Sequence, residues 1–585
     1  MKVIIVGAGV AGLYAAWRMC LDKTGQSVTG LQPSDVLVLE SGSRIGGRLF
    51  TKPLSEFLPR DSDVPKTPAA RAELGGMRFL NFHTWVGSLA KELGLNYVDF
   101  PADSPANWHY LRGSVMQSFS NKPAVTTFSS ERVYHLTPAE HEAMQATPGS
   151  SPGSLIEIAL SKIVNPNDQL SDPGKGGSLR KMVDQLLTSK FPGTGVALWK
   201  RGLWNALVPS GDPQRDPVSN EAYEYWSDAG AYDSVPSNWN AATASAMVLS
   251  DFSNTSTYYA LAAGYESLPD ALYEQLRARG LPVRLKTKVI GFTEDLKGFT
   301  VTTPELMHAD NLILALPPRA LQLLKIGVVP GVAPIKPEQI MQATPEPMVK
   351  VFLVYKNTGP TPWWGAFLPG GAGDLPMYTR LTTDLPLRQV YNFGTFPDAA
   401  KKNTYSLVQV AYTDELRAGY WAGLLSAEKG GPSSSGDVSF NGYAEWTDGS
   451  ALSGHPLFST AHAQFVNLLT QIRKGSTKGA TSLPTSVEPL AGAAMDWGAD
   501  PFGGGYNTWN VGVDVASAYP SLLNSRAMNP TTGTGGLFVV GEGYSVLQGW
   551  VEGALWSVED ALRQAYGIAW QSPPWYRSSP VPPAK

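Results

Sequence analysis

The sequence predicts an α/β architecture, α+β over the whole chain, and three observations predict it. The chain opens on an apolar, β-branched run, Lys2-Val3-Ile4-Ile5-Val6, which passes through a glycine turn into an amphipathic helical stretch ending at Cys20. That is the pattern of a buried parallel strand feeding a helix. Alternating strands recur from Lys350 to Tyr412 and predict a mixed sheet. Between these regions, residues 139–231 carry helical spacing, for instance at Leu155, Ile156, Ala159, Leu160 and Ile163, and predict a helical subdomain. At 585 residues the chain is too long for one core and divides into two or three domains.

The first turn reads Gly7-Ala8-Gly9-Val10-Ala11-Gly12. In a strand–turn–helix unit Gly7 permits the tight turn, Gly9 lets a pyrophosphate approach the backbone, and Gly12 lets the helix pack close to the strand. The free N–H groups of the helix N-terminus then face the phosphates. Asp35-Val36-Leu37-Val38-Leu39-Glu40 reads as the second strand, ending in a carboxylate suited to a ribose hydroxyl. Gly12 and Glu40 are 28 positions apart (40 − 12), longer than usual, and the excess falls in the polar insert Gly25–Ser34. The chain then runs Ser41-Gly42-Ser43-Arg44-Ile45-Gly46-Gly47-Arg48-Leu49-Phe50-Thr51, where glycines allow close main-chain approach and an arginine supplies a fixed cation for a phosphate.

Further segments follow in order: Glu73-Leu74-Gly75-Gly76-Met77-Arg78-Phe79, then Met348-Val349-Lys350-Val351-Phe352-Leu353, then the run from Thr383 to Tyr391. Trp497-Gly498-Ala499-Asp500-Pro501-Phe502-Gly503-Gly504, Gly536–Gly543 and Gln548-Gly549-Trp550-Val551-Glu552-Gly553-Ala554 complete the series, the last leading into a helix that ends near Ala565. In this order they resemble the FAD-dependent amine oxidase family, and the Arg78 segment resembles its L-amino acid oxidase branch. The sequence is also similar to bacterial tryptophan oxidases and amino acid 2-monooxygenases.

The resemblance implies FAD as cofactor and a discontinuous Rossmann-type FAD-binding domain formed by 1–79, 262–322 and 527–566. It implies a mixed-sheet substrate domain from 80–138, 232–261 and 323–526, a helical subdomain at 139–231, and a tail at 567–585. Within the middle FAD piece, Val283-Arg284-Leu285 and Lys288-Val289-Ile290 read as a strand pair. By resemblance FAD lies against Gly7, Gly9, Ala11, Gly12, Glu40, Ser41, Gly47 and Arg48 of the N-terminal motifs. Gly75, Gly76, Met77, Arg78, Val289 and Trp497 come from the middle of the chain, and Gly541, Glu542, Gly549, Trp550 and Val551 from the closing motif. The helix starting near Val551 would aim its positive end at the flavin and favour a reduced, anionic ring.

The chemistry implied is oxidative deamination. Arg78, a planar guanidinium that can donate two parallel hydrogen bonds, grips the substrate carboxylate together with Tyr391. The carbonyl of Gly549 receives the amine, Trp550 walls the site, and Lys350 holds a water near flavin N5. The Cα hydride passes to the flavin, O2 takes the electrons to give H2O2, and water converts the imine to a 2-oxo acid and ammonia. Positioning is the main catalytic contribution. A 2-monooxygenase yielding an amide and CO2 suits the same motifs, and a monoamine or polyamine oxidase is a further alternative that Arg78 opposes. An acidic residue in the helical region, Asp228 or Asp233, would select a cationic side chain, whereas the 10% aromatic content and Trp550 point to a hydrophobic one.

Other classes find little support. The charge balance, 46 basic against 50 acidic residues, indicates neither nucleic acid nor an anionic membrane as a partner. Seven histidines are scattered without companions at ligand spacing, so no metal is expected. The single cysteine, Cys20, reads as a small core residue. A strand beginning at residue 2 leaves no room for an uncleaved signal peptide, and a cytoplasmic protein is expected, with a homodimer compatible with the resemblance. Gly149-Ser150-Ser151-Pro152-Gly153 mimics a hydrolase elbow, but Pro152 has no N–H to offer an oxyanion; Thr147–Gly153, Lys429–Asp437 and Ser572–Lys585 are expected to be loops.

Overall fold

The computed structural model describes residues 1–567 except 21–28, 57, 59–68, 103–106, 118–132, 147–151, 165–168, 235–238, 252–255, 296–297, 328–334, 369–374, 399–402, 429–440, 448–449 and 476–486. Its first sheet is assembled from distant parts of the chain. Strands Val283–Arg284, Val36–Leu39, Val3–Val6, Asn311–Leu314 and Leu537–Val539 lie side by side and parallel, and Asn524–Arg526 closes the edge antiparallel. Val3–Val6, at the centre, is fully apolar because both faces are covered, as parallel sheets require. Helices Val10–Cys20, Ser267–Ala278 and Val551–Tyr566 pack together over it. Buried Glu559 joins two of them, accepting from the Tyr14 hydroxyl at 2.7 Å and Arg18 Nη2 at 3.1 Å. Cys20 is buried in the first helix, and burial pushes its thiol up to about 12, so it stays protonated.

Gly12 is where this unit tolerates least. A Cβ there would stand 1.9 Å from the Gly7 carbonyl oxygen and 3.2 Å from the Ala315 Cβ. Gly12→Ala is therefore expected to force helix and strand apart, lowering stability by about 3 kcal/mol or more and abolishing retention of flavin on purification. Thermal unfolding and the flavin-to-protein absorbance ratio read both effects; a yellow variant of unchanged stability would contradict the geometry.

The expected strand pair at 283–290 forms only in part. Val283–Arg284 joins the parallel sheet, but Lys288–Ile290 is not a strand; Ile290 makes only sheet-edge bonds, its N–H donating to Thr302 and its carbonyl accepting from Lys325. From Gly291 the chain enters a separate four-stranded sheet with Gly298–Thr302, Leu306–Ala309 and Lys325–Gly327.

The second large sheet has eight strands in the order Tyr443–Trp446, Ala491–Asp496, Met348–Asn357, Thr404–Asp414, Gln389–Pro397, Arg380–Thr383, Trp108–Leu111 and Ser114–Gln117. It is mixed: Arg380–Thr383 runs parallel to Trp108–Leu111 and the other pairs are antiparallel. In Met348–Asn357, Val349, Val351, Leu353 and Tyr355 share a core with Trp421, Leu425, Phe458 and Phe465 of helices Glu415–Glu428 and Pro456–Gly475. Phe352 and Val354 belong to the core on the opposite face. Period-2 alternation then turns Lys350 away from the helices.

Helices Pro138–Ala146, Pro152–Ile163, Leu179–Thr188, Leu203–Leu207, Asn220–Gly230 and Ala241–Asp251 pack on one another, and Asn220–Gly230 also packs on the Arg380–Thr383 strand. Ser178 and Ser219 cap two of them, accepting from the N–H of Lys181 at 3.3 Å and Ala222 at 3.1 Å. Pro152 and Gly153, expected in a loop, form the first turn of a helix, where the missing N–H of proline costs nothing. The rest of that expected loop, Thr147–Ser151, and the ones at Lys429–Asp437 and Ser572–Lys585 lie outside the described residues. Among the described residues no helix is long and apolar enough to cross a membrane, and no group of three or more His, Cys, Asp or Glu is placed to hold a metal ion.

Candidate active site

A cavity of about 730 Å³ runs from the first glycine turn, between the two large sheets, to Arg78 and Trp550. Every cofactor, substrate or catalytic residue expected from the motifs lines it, except Gly12 and Tyr391. Gly12 acts one step back, through the packing just described.

At one end Gly9 and Gly47 face each other backbone to backbone. A Cβ on Gly47 would lie 3.2 Å from the Gly9 Cα and fill the floor between them. The Glu40 carboxylate is fixed at the strand end by the N–H groups of Ala8 and Gly42, each at 2.8 Å. Glycine main chain, a helix N-terminus and a strand-end carboxylate fit a dinucleotide. Both arginines of the following run line the cavity and are held by protein partners. Arg44 braces its own turn, donating to the carbonyls of Ile45 and Leu49 at 2.9 and 3.0 Å and to that of Gly47, and pairs with Glu266 at 3.3 Å. Arg48 pairs with Glu542 at 2.7 Å. Glu542 also accepts from the Asn507 side chain at 2.7 Å and the Gly549 N–H at 2.7 Å, so it ties three wall segments together.

The far end is built around a buried arginine and a buried lysine. Arg78 is 7% exposed, and its guanidinium lies over the rings of Tyr258 and Phe100, 4.4 and 5.4 Å from their centroids. Its Nη2 donates to the Tyr232 hydroxyl at 3.2 Å and its Nη1 to the Tyr391 hydroxyl at 3.3 Å. Burial opposes the charge, but the oxygens of Tyr232, Tyr391 and Tyr258 and the Asp251 carboxylate outweigh it and raise its pKa. No carboxylate is ion-paired with Arg78 among the described residues, although buried guanidinium groups ordinarily have such a partner. Tyr391 stands behind Arg78, fully buried, and its hydroxyl donates to Gln389 at 2.9 Å.

Lys350 Nζ donates to the carbonyls of Gly75 at 2.6 Å and Glu73 at 3.1 Å, beneath the Tyr412 ring at 4.8 Å. Desolvation brings its pKa down from 10.5 to about 7, with Arg78 adding to the fall and Glu73 resisting it. Trp497 closes this corner, its indole N–H donating to Leu74 at 2.7 Å. Trp550, whose indole N–H donates to Met247 at 3.3 Å, heads the Val551–Tyr566 helix, and Val551 presents the positive end of that helix to the cavity. Glu552 in the same turn is buried, accepts from the N–H groups of Trp85 and Val86 at 3.1 and 2.9 Å, and is raised to about 8 by desolvation.

Several lining residues escape the sequence reading: Tyr232, Met247, Asp251, Tyr412 and Tyr506. Tyr506 directly follows the glycines after the Trp497 turn, so that signal was available. Tyr232 and Asp251 come from chain segments with no local motif. Asp228 and Asp233, the acidic candidates, do not line the cavity. Asp228 pairs with Arg388 at 3.4 Å and accepts from the Tyr134 hydroxyl at 2.8 Å, and Asp233 pairs with Arg388 at 3.3 Å and with Arg417.

A dinucleotide cradle opening onto a chamber with a buried arginine and a buried lysine fits an enzyme that holds a dinucleotide cofactor beside its substrate. Residues 10–429, well over half of the chain, match the family of flavin containing amine oxidoreductases. The chain belongs to that family, and its cofactor is FAD. It is 24% identical over 400 residues to an L-amino-acid oxidase of Sistrurus catenatus edwardsii and 26% identical over 437 residues to one of Mus musculus, covering 67% and 72% of this chain. It spans only 62% and 55% of those two relatives. Aplysianin-A of Aplysia kurodai is 24% identical over 98% of this chain and 92% of its own length. Cyclohexylamine oxidase from Brevibacterium oxydans shares the fold, with a TM-score of 0.59 at 16% identity over 96% of this chain and 98% of that one.

Proposed function

We propose that this protein is an L-amino acid oxidase, converting an L-amino acid, O2 and water to the 2-oxo acid, ammonia and H2O2. The observation that carries this reading is Arg78. A guanidinium buried in an aromatic box, held by tyrosine hydroxyls and with no ion-paired carboxylate among the described residues, is a receptor for a carboxylate that arrives from outside. An amine without a carboxylate offers it nothing, which disfavours simple amines as substrates.

When bound, FAD accepts the hydride and passes the electrons to O2. The chain does the rest by placement. Arg78 fixes one end of the substrate, the Gly549 carbonyl receives its amine, and Trp550 and Tyr506 bound the space between, so that one Cα–H orientation is held. The substrate reacts as the free amine, whose lone pair drives departure of the hydride, so no protein nucleophile is needed. Lys350, with two N–H groups on carbonyls, is neutral above pH about 7 and then offers its lone pair to a water, assisting reoxidation or imine hydrolysis.

The test is anaerobic mixing of the purified holoprotein with each of the twenty L-amino acids while the flavin absorbance is followed. Bleaching by a subset, reversed by air with formation of 2-oxo acid and H2O2, is expected. An amide and CO2 among the products would redirect the reading to a 2-monooxygenase, and a flavin that no amino acid bleaches would refute it.

A further inference from the structure

Four carboxylates line the cavity among the described residues: Glu40, Asp251, Asp500 and Glu542. Glu40 holds the glycine turn, Glu542 pairs with Arg48, and Asp500 pairs with Arg319 at 2.6 Å. Asp251 alone of these stands at the Arg78 end. It is 4% exposed and accepts from the Tyr258 hydroxyl, whose ring carries the Arg78 guanidinium.

Its position on the Ala241–Asp251 helix separates it from the amine. Met247, one turn earlier on the same face, touches Gly549, with its Cε 3.4 Å from where a Cβ there would stand, and accepts from the Trp550 indole. An i, i+4 step advances about 6 Å along a helix. An amine seated at the Gly549 carbonyl therefore lies by Met247, and Asp251 lies a turn beyond it. Asp251 also ends its helix, where the backbone already concentrates negative charge, a placement that disfavours a carboxylate and favours a cation. Tyr232, which feels the Asp251 charge, and Trp550 line the same cavity, and aromatic walls suit a cationic group.

Resting on the L-amino acid reading, we propose that Asp251 selects substrates with a cationic side chain, of the lysine and arginine type. The substrate carboxylate lies on Arg78, the α-amine at Gly549, and the second positive charge reaches the Asp251 carboxylate. The selecting acid thus comes from the end of this helix, and the more exposed acids of the helical region face other arginines.

The experiment compares 6-aminohexanoate with hexanoate, which carry the carboxylate but no α-amine and so cannot react. Binding to the holoprotein is read by tryptophan fluorescence. The native protein is expected to bind 6-aminohexanoate about tenfold or more tighter than hexanoate, and Asp251→Asn to bring the ratio close to one. Equal affinities in the native protein, or an Asp251→Asn change that weakens both ligands alike, would overturn the assignment; the native ratio decides the matter even if the variant fails to fold. Bleaching by neutral L-amino acids without any preference for 6-aminohexanoate would leave the oxidase reading standing and remove this one. No bleaching by any L-amino acid would remove both.

Discussion

Arg78→Gln is expected to lower kcat/KM for the proposed L-amino acid substrate by about a thousandfold, equivalent to about 4 kcal/mol, while the protein still folds and retains flavin. The size follows from burial. In water a carboxylate–guanidinium contact is worth little, but at Arg78 neither solvent nor another ion-paired carboxylate competes for the charge among the described residues. Removal also leaves the hydroxyls of Tyr232 and Tyr391 without their donor. Arg78→Lys recovers little, because an ammonium cannot present a planar fork or lie flat between the rings of Tyr258 and Phe100. Steady-state kinetics on the three proteins decides it: a KM within about threefold of native for Arg78→Gln would remove Arg78 from the substrate site.

The second large effect is at Lys350. In Lys350→Met the reaction of the reduced enzyme with O2 is expected to slow about 100-fold, while anaerobic bleaching slows less than about tenfold. Stopped-flow measurement of the two halves separates them, and equal slowing of both would mean that the lysine only supports the walls. The pH dependence has a fixed sign. Desolvation penalises the ammonium, so the proton leaves at about 7 instead of 10.5, and the assisted step accelerates as pH rises through about 7 in the native protein only. The same shift acts on folding. Between about 7 and 10.5 the unfolded chain binds a proton that the folded one has released, so stability rises with pH across that window, and Lys350→Met removes the slope.

How much of this was legible in the sequence depends on how local each signal is. The Gly7–Gly12 turn and Glu40 were legible from their spacing at strand ends, whereas the Gly75–Arg78 run was set beside them by the resemblance, and all of these motifs reach one cavity. Lys350 was legible only through the resemblance, because a single lysine in a strand reads equally well as an edge residue, and the alternation of Met348–Asn357 shows afterwards why it turns from the helices. Tyr232, Tyr412 and Asp251 converge from separate segments, and no local pattern announces them. Asp228 and Asp233 misled for the opposite reason: the partners that neutralise them, Arg388 and Arg417, are more than a hundred residues away. Tyr391 accepts from Arg78 without lining the cavity, whereas Tyr232 does both.

The parallel sheet has a bearing on how the protein is made. As the chain leaves the ribosome, Val3–Val6 has Val36–Leu39 as its early neighbour, and its other flank stays bare until Asn311–Leu314 emerges. Leu537–Val539 and the Glu542–Val551 wall come later still. An open apolar strand edge that persists through most of synthesis is a template for misassociation. Chaperone supply and flavin availability at the close of translation, more than the intrinsic stability of any one part, would then set the yield of active protein in a cell.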